Sequence, residues 1–253
     1  MDRQNLESMT LDQLNYTVLI DNPASVLVVD DEDVIRLVFE SMFEQTPYQA
    51  AFAGSGEEAV DLFDRGRYSL LIVDKNLPGM SGLDLIRYTR EKDPESESIV
   101  MTGYSSYESA VEALRLGAFD YLEKPFEELD LVKQKIDRAL DRQRLQHENS
   151  VLAEHLRAAH HDFEQVSSEL ANKVHAGQSS SEEAQGLTQQ LLATRRAIIN
   201  AAGSLQEAYG RFRALNTNRL IPEEPAMQIE ELIERSWYHL TEPLPQLRNK
   251  LSS

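Results

Sequence analysis

The run Leu70-Leu71-Ile72-Val73, closed by Asp74, constrains the fold of this 253-residue chain more than any other feature. A short apolar run bounded by turn residues reads as a strand buried on both faces, which a helix-covered parallel sheet provides. Three further runs end in the same way. Val26-Leu27-Val28-Val29 enters Asp30-Asp31, Ser98-Ile99-Val100-Met101 enters Thr102, and Phe119-Asp120-Tyr121-Leu122 precedes Lys124-Pro125. A weaker strand is expected near Gln49–Ala53. Helices are expected near Asp33–Gln45, Gly56–Arg65, Leu83–Glu91, Ser106–Leu116 and from Phe126 onward. Ser55 before Glu57-Glu58, and Ser105-Ser106 before Glu108, read as helix starts with acidic first turns. The alternation predicts an α/β fold, a doubly wound five-stranded parallel sheet with right-handed crossovers. Such sheets place their chemistry outside the carboxyl ends of the strands. Three carboxylates, a hydroxyl and an ammonium would then meet at one sheet edge, a set suited to phosphoryl transfer.

After Pro125 the pattern changes to an all-α, coiled-coil-like region. Leu145, Asn149, Leu152, Leu156, Ala159, Phe163, Val166 and Leu170 alternate four- and three-residue steps, a heptad seam. Residues 177–186, with Gly177, Ser179-Ser180-Ser181 and Gly186, read as a loop. A second seam follows through Leu187, Leu191, Thr194, Ile198, Ala201, Leu205, Ala208, Phe212 and Leu215. A last amphipathic segment, Met227–Leu240, lies between prolines. The expected divisions are an extension over 1–24, an α/β domain over 25–143, a coiled-coil helix over 144–176, the loop, a second helix over 187–221 and a helical segment over 222–253. Asn149 at an a position favours a parallel homodimer of the first seam; an antiparallel hairpin of the two seams is the rival, and the two can coexist in a four-helix dimer.

The net charge is −18, with 24 acidic against 10 basic residues over 1–126 and 9 against 8 over 177–253. The acidity therefore belongs to the α/β part, and the protein is a poor candidate for sequence-independent binding to nucleic acid. No apolar stretch is long enough for a membrane helix, and the amino end lacks the layout of a secretory signal. With no cysteine, a cytoplasmic protein is expected.

Residues 25 to about 140 resemble the receiver domain of two-component response regulators. The resemblance rests on Val28-Val29-Asp30-Asp31-Glu32, on Asp74-Lys75-Asn76-Leu77-Pro78-Gly79-Met80-Ser81-Gly82, on Met101-Thr102-Gly103 and on Tyr121-Leu122-Glu123-Lys124-Pro125-Phe126, in that order and at family intervals. It implies a flavodoxin-like fold and a phosphoacceptor, rather than an enzyme with a separate substrate. Asp74 would be the nucleophile. Asp31 and, through water, Asp30 would hold Mg²⁺ together with Asp74 and the backbone carbonyl of Asn76. Lys124 and the Thr102 hydroxyl would meet phosphoryl oxygens, and Thr102 with Tyr121 would form the switch pair. The implied partners are a sensor histidine kinase or phosphotransfer protein upstream and an output protein, not identified by sequence, downstream.

Two other readings attach to the helical half. Arg195, Arg196, Arg211, Arg213 and Arg219 make a locally basic helix, and Ala202–Leu220 bears a faint likeness to a helix-turn-helix, so a DNA-binding regulator acting around Arg211 is one alternative. His161-Asp162 with Gln165 resembles the histidine box of sensor kinases, which makes phosphotransfer or phosphatase activity at His161 another. Gly203 and Gly210, seven apart, share a helix face suited to close packing. No G-x-x-x-x-G-K-[ST] sequence occurs, so no nucleotide-binding P-loop is expected.

Overall fold

The apolar runs form the strands of a five-stranded sheet in the computed structural model, which describes residues 24–103, 112–176 and 181–215. The elements are β1 (Ser25–Val29), α1 (Asp33–Phe43), β2 (Gln49–Ala53), α2 (Gly56–Arg65), β3 (Leu70–Asp74), α3 (Gly82–Lys92), β4 (Glu97–Thr102), β5 (Asp120–Glu123), α4 (Leu129–Ala176) and α5 (Ser181–Leu215). The strands are all parallel, in the order β2-β1-β3-β4-β5. Alternate residues feed two cores. Val26, Val28, Leu70, Ile72, Ile99 and Met101 pack on Phe39 and Phe43 of α1 and on Val132, Ile136 and Leu140 of α4. Leu27, Val29, Leu71, Val73 and Val100 pack on Phe63 of α2 and on Leu85 and Ile86 of α3. Every residue of β3 is buried, which is why its run is continuous rather than alternating.

Local sequence explains where the helices begin. Ser55 caps α2 by accepting from the Glu58 amide at 3.2 Å, as its sequence suggests. Ser81 does the same for α3, accepting from the Asp84 amide at 3.2 Å. The helix predicted from Phe126 starts instead at Leu129, because the Phe126 ring turns edge-on to Phe39 at 5.5 Å and closes the core. Of the helix predicted over Ser106–Leu116, residues 112–115 are helical; the rest, with the Ser105-Ser106 cap, lies outside the described residues. Gly117 follows at φ +89°, a conformation that favours glycine.

The first compact unit ends at Gln146 and a second begins at His147, within α4. In the second unit the two seams meet each other. Leu152, Ala153 and Leu156 share one cluster with Ile198, Ala201, Ala202, Leu205 and Ala208, and Val166 packs with Leu191. Low numbers on α4 meet high numbers on α5, so the pair is antiparallel, the hairpin among the two expected arrangements. Asn149 is 3% exposed within this one chain, and neither of its amide atoms has a hydrogen-bond partner among the described residues. A twin is therefore not needed to bury it. Of the loop expected over 177–186, Ser181–Gly186 belong instead to α5, and the rest lies outside the described residues. A glycine costs a helix about 1 kcal/mol against alanine, and the packing of Leu187 and Leu191 on Phe163 and Val166 offsets it. Ala202 to Leu215 is uninterrupted helix, so no helix-turn-helix turn lies in that stretch. The remainder of the second helix expected to 221, the segment 222–253 and the extension 1–23 lie outside the described residues. Among the described residues no helix is long and apolar enough to cross a membrane.

Candidate functional site

The pairing register builds the site. Val29 lies beside Val73 in the last pair between β1 and β3, so Asp30 and Asp74 emerge together where the strand order reverses. That is the crevice in which open α/β sheets bind ligands. Asp30 is fully buried, Asp74 is 6% exposed and Asp31 faces solvent. One oxygen from each of these three carboxylates lies within 4.8 Å of the other two.

Lys124 enters from the end of β5, where its amide donates to the Thr102 carbonyl at 2.9 Å. Its Nζ lies 2.7 Å from Asp30 Oδ2, donates to Asp74 Oδ2 and reaches Glu32 Oε1 at 3.3 Å. The Lys124–Pro125 peptide bond is cis. Backbone amides hold the other carboxylate oxygens: Glu32 N donates to Asp30 Oδ1 at 3.0 Å, and Asn76 N to Asp74 Oδ1 at 2.8 Å. Three carboxylates thus meet one ammonium. Burial pushes the Asp30 carboxyl above its ordinary value, and the nearby Lys124 and Glu32 amide only partly oppose this. Burial alone would depress Lys124, but its bonds to Asp30 and Asp74 reverse the sign and hold the ammonium above its ordinary value.

Glycine makes room for this arrangement. A Cβ at Gly82 would lie 2.0 Å from the Asp74 carbonyl oxygen, so the start of α3 can approach the end of β3 only without a side chain. Gly79, at φ +79°, turns the loop between them.

Thr102 closes β4 and is 3% exposed. Val100 pairs with Tyr121, so Thr102 and the half-buried Tyr121 share a face of the sheet. Gly103 leaves open space beside Thr102 among the described residues. The seven residues predicted for the site, Asp30, Asp31, Asp74, Asn76, Thr102, Tyr121 and Lys124, therefore all stand at or next to this edge. By contrast, His161, Asp162 and Gln165 are exposed on α4, and Arg211 is ion-paired to Glu148 at 2.7 Å.

Sequence reasoning missed two participants. Glu32 was visible only as part of an acidic triplet, and its reach to Lys124 depends on the turn into α1. Lys135 donates to the Tyr121 carbonyl at 2.7 Å and places its ammonium 4.9 Å from the centre of the Tyr121 ring. It sits on α4, and no local motif marks it.

A family model described as the response regulator receiver domain matches residues 26–136. Sporulation initiation phosphotransferase F of Bacillus subtilis is 30% identical over 115 residues, which are 46% of this chain and 92% of that protein. Regulatory protein AtoC of Escherichia coli is 36% identical over 123 residues, 49% of this chain and 26% of AtoC. DNA-binding transcriptional regulator NtrC of Klebsiella pneumoniae is 35% identical over 113 residues, 45% of this chain and 24% of NtrC. The chain thus spans about a quarter of the two longer relatives, and the residues matched by the family model contain the strands, from Val26 on, and the acidic pocket. With the Bacillus phosphotransferase covered over nearly its whole length, the chain belongs to the response regulators of two-component systems through its receiver domain.

Proposed function

We propose that Asp74 accepts a phosphoryl group from a sensor histidine kinase or phosphotransfer protein, and that the helical half reads out the result by binding another protein. The observation that carries this reading is the position of Lys124, bonded to both Asp30 and Asp74 beside a third carboxylate. An Asp74 oxygen forms the new bond to phosphorus as the donor's leaving group departs with the bonding pair. Lys124 moves from carboxylate partner to phosphoryl partner, and the Thr102 hydroxyl donates to a second phosphoryl oxygen.

The donor set fits Mg²⁺: hard carboxylate oxygens from Asp30, Asp31 and Asp74 lie close together, two of the three residues being buried. Asp30, Asp31, Asp74 and the Asn76 carbonyl would hold it. When bound, the ion neutralises charge that otherwise repels an incoming phosphate. Thr102 and Tyr121 are the proposed switch, with Lys135 tying Tyr121 to α4. A cytoplasmic homodimer is part of the same reading.

Incubation with acetyl phosphate tests it. The wild type should gain the mass of one phosphoryl group only when Mg²⁺ is present, and Asp74→Asn should gain none. Undiminished phosphorylation of Asp74→Asn would overturn the assignment.

A second reading is DNA binding, favoured by the likeness to NtrC, a DNA-binding transcriptional regulator, and by the basic residues of α5. The net acidity does not exclude it, because the acid is concentrated in the receiver. A DNA affinity that falls steeply with salt and is lost in Arg196→Ala/Arg213→Ala would favour this output.

A further inference from the structure

The outer face of α5 carries two apolar side chains, two glycines and two opposite charges in mirrored positions. Leu192 is 57% exposed and Ile199 40% exposed. Gly203 and Gly210 are exposed as well, and a Cβ at either would meet nothing within 4 Å among the described residues. At about 100° per residue, these four lie within about 20° of a common line along the helix. Leu191, Ile198, Leu205 and Phe212 point away from that line, into the buried side of the hairpin. Glycine is the poorest helix former after proline, and the hairpin itself gives neither glycine a reason to be there. Close approach by another helix supplies one.

We propose that this face binds a second copy of the chain, with the two α5 helices packed antiparallel about a twofold axis level with Ala201. In an antiparallel pair of identical helices, residues whose numbers have the same sum lie level with one another. Placing Leu192 against the partner's Gly210 places Ile199 against the partner's Gly203, so each large side chain meets a gap. Symmetry repeats both contacts, giving a self-complementary interface. The same alignment brings the exposed Arg196 to within one residue of level with the partner's Glu207, also exposed. The two lie on the same flank of the apolar line, at about 40° and 60° from it. A twofold axis keeps like flanks together, so the charges meet and do so twice. Parallel packing would instead set leucine against leucine, glycine against glycine and Arg196 against Arg196. The inference concerns the helical unit alone and does not depend on the phosphotransfer reading.

The full chain has no cysteine, so introduced thiols report this geometry without background. The wild type should sediment as a dimer at micromolar concentration. Oxidation of mixed Leu192→Cys and Gly210→Cys chains should yield cross-linked dimers, and neither variant alone should do so. Leu192→Asp should weaken association at least ~10-fold. Arg196→Glu and Glu207→Arg should each weaken it, and the double variant should restore it. Within one helix these residues are about 16 Å apart along the axis, beyond ion-pair reach, so rescue reads a contact between copies. A wild type that stays monomeric would overturn the proposal. So would self-cross-linking of Leu192→Cys, the parallel result. A dimer indifferent to Leu192→Asp would also overturn it, as when residues 227–240 or another protein cover this face.

Discussion

Asp30 sets the electrostatic tension of the pocket, because it is buried with its carboxyl pushed up from 3.8 by desolvation. As pH rises, the unfolded chain releases its proton first, so the folded state loses stability until Asp30 itself ionises. Asp30→Asn keeps the shape without the charge. Measured by thermal unfolding without metal, its advantage over the wild type should be absent at strongly acid pH, grow through the carboxylate range and then stay level. An advantage that did not change with pH would show that burial of charge is not its cause. Gly82 controls the geometry instead. Gly82→Ala would drive a methyl against the Asp74 carbonyl, and a loss of about 2–4 kcal/mol in denaturant unfolding is expected. At this scale the sequence was legible wherever a residue ends a strand, since the strand fixes where the side chain emerges. Glu32 and Lys135 were not, because a turn and a distant helix place them.

Among the elements, the first turns of α4 are fastened to the sheet by contacts that no periodicity shows. Glu97 opens β4 at 6% exposure, with Arg142 Nε 3.1 Å from its carboxylate and the guanidinium 5.7 Å from the Phe119 ring centre. Tyr48 donates to Asp137 at 2.7 Å, and burial with that bond pushes its hydroxyl up to about 12. Arg142→Ala would remove an ion pair from a buried carboxylate and should cost about 3 kcal/mol, whereas Arg142→Ala/Glu97→Gln should recover most of it. Failure of the double variant to recover would show that Arg142 acts through packing rather than charge. In the helical hairpin, Asn149 is buried without a hydrogen-bond partner among the described residues. Asn149→Leu should raise the melting temperature of the hairpin by a few degrees, in line with about 1–3 kcal/mol for an unmet amide. A fall would mean that the amide has a partner in solution. The strands were legible because burial on both faces makes their runs continuous. The start of α5 was not, because Gly186 and its neighbouring serines read locally as a loop while packing across the hairpin decides.

For the molecule as a whole, the receiver was legible because its four motifs lie at separate strand ends, so order and spacing specify the pocket jointly. The helical half carries a pattern that two arrangements satisfy, and the register of Leu152 with Leu205 selects the hairpin. α4 belongs to both parts: its first turns complete the receiver core and its later turns build the hairpin. Lys135, in the part of α4 that packs on the receiver, touches Tyr121. The proposed signalling depends on phosphate arriving at the junction of β1 and β3. The direct measurement is to phosphorylate the full chain with acetyl phosphate and Mg²⁺, trap the acyl phosphate by borohydride reduction and map the modified residue by peptide mass spectrometry. The account requires the label at Asp74 alone, and none when Mg²⁺ is chelated. A label at Asp30, Asp31 or His161, or one indifferent to chelation, would contradict it.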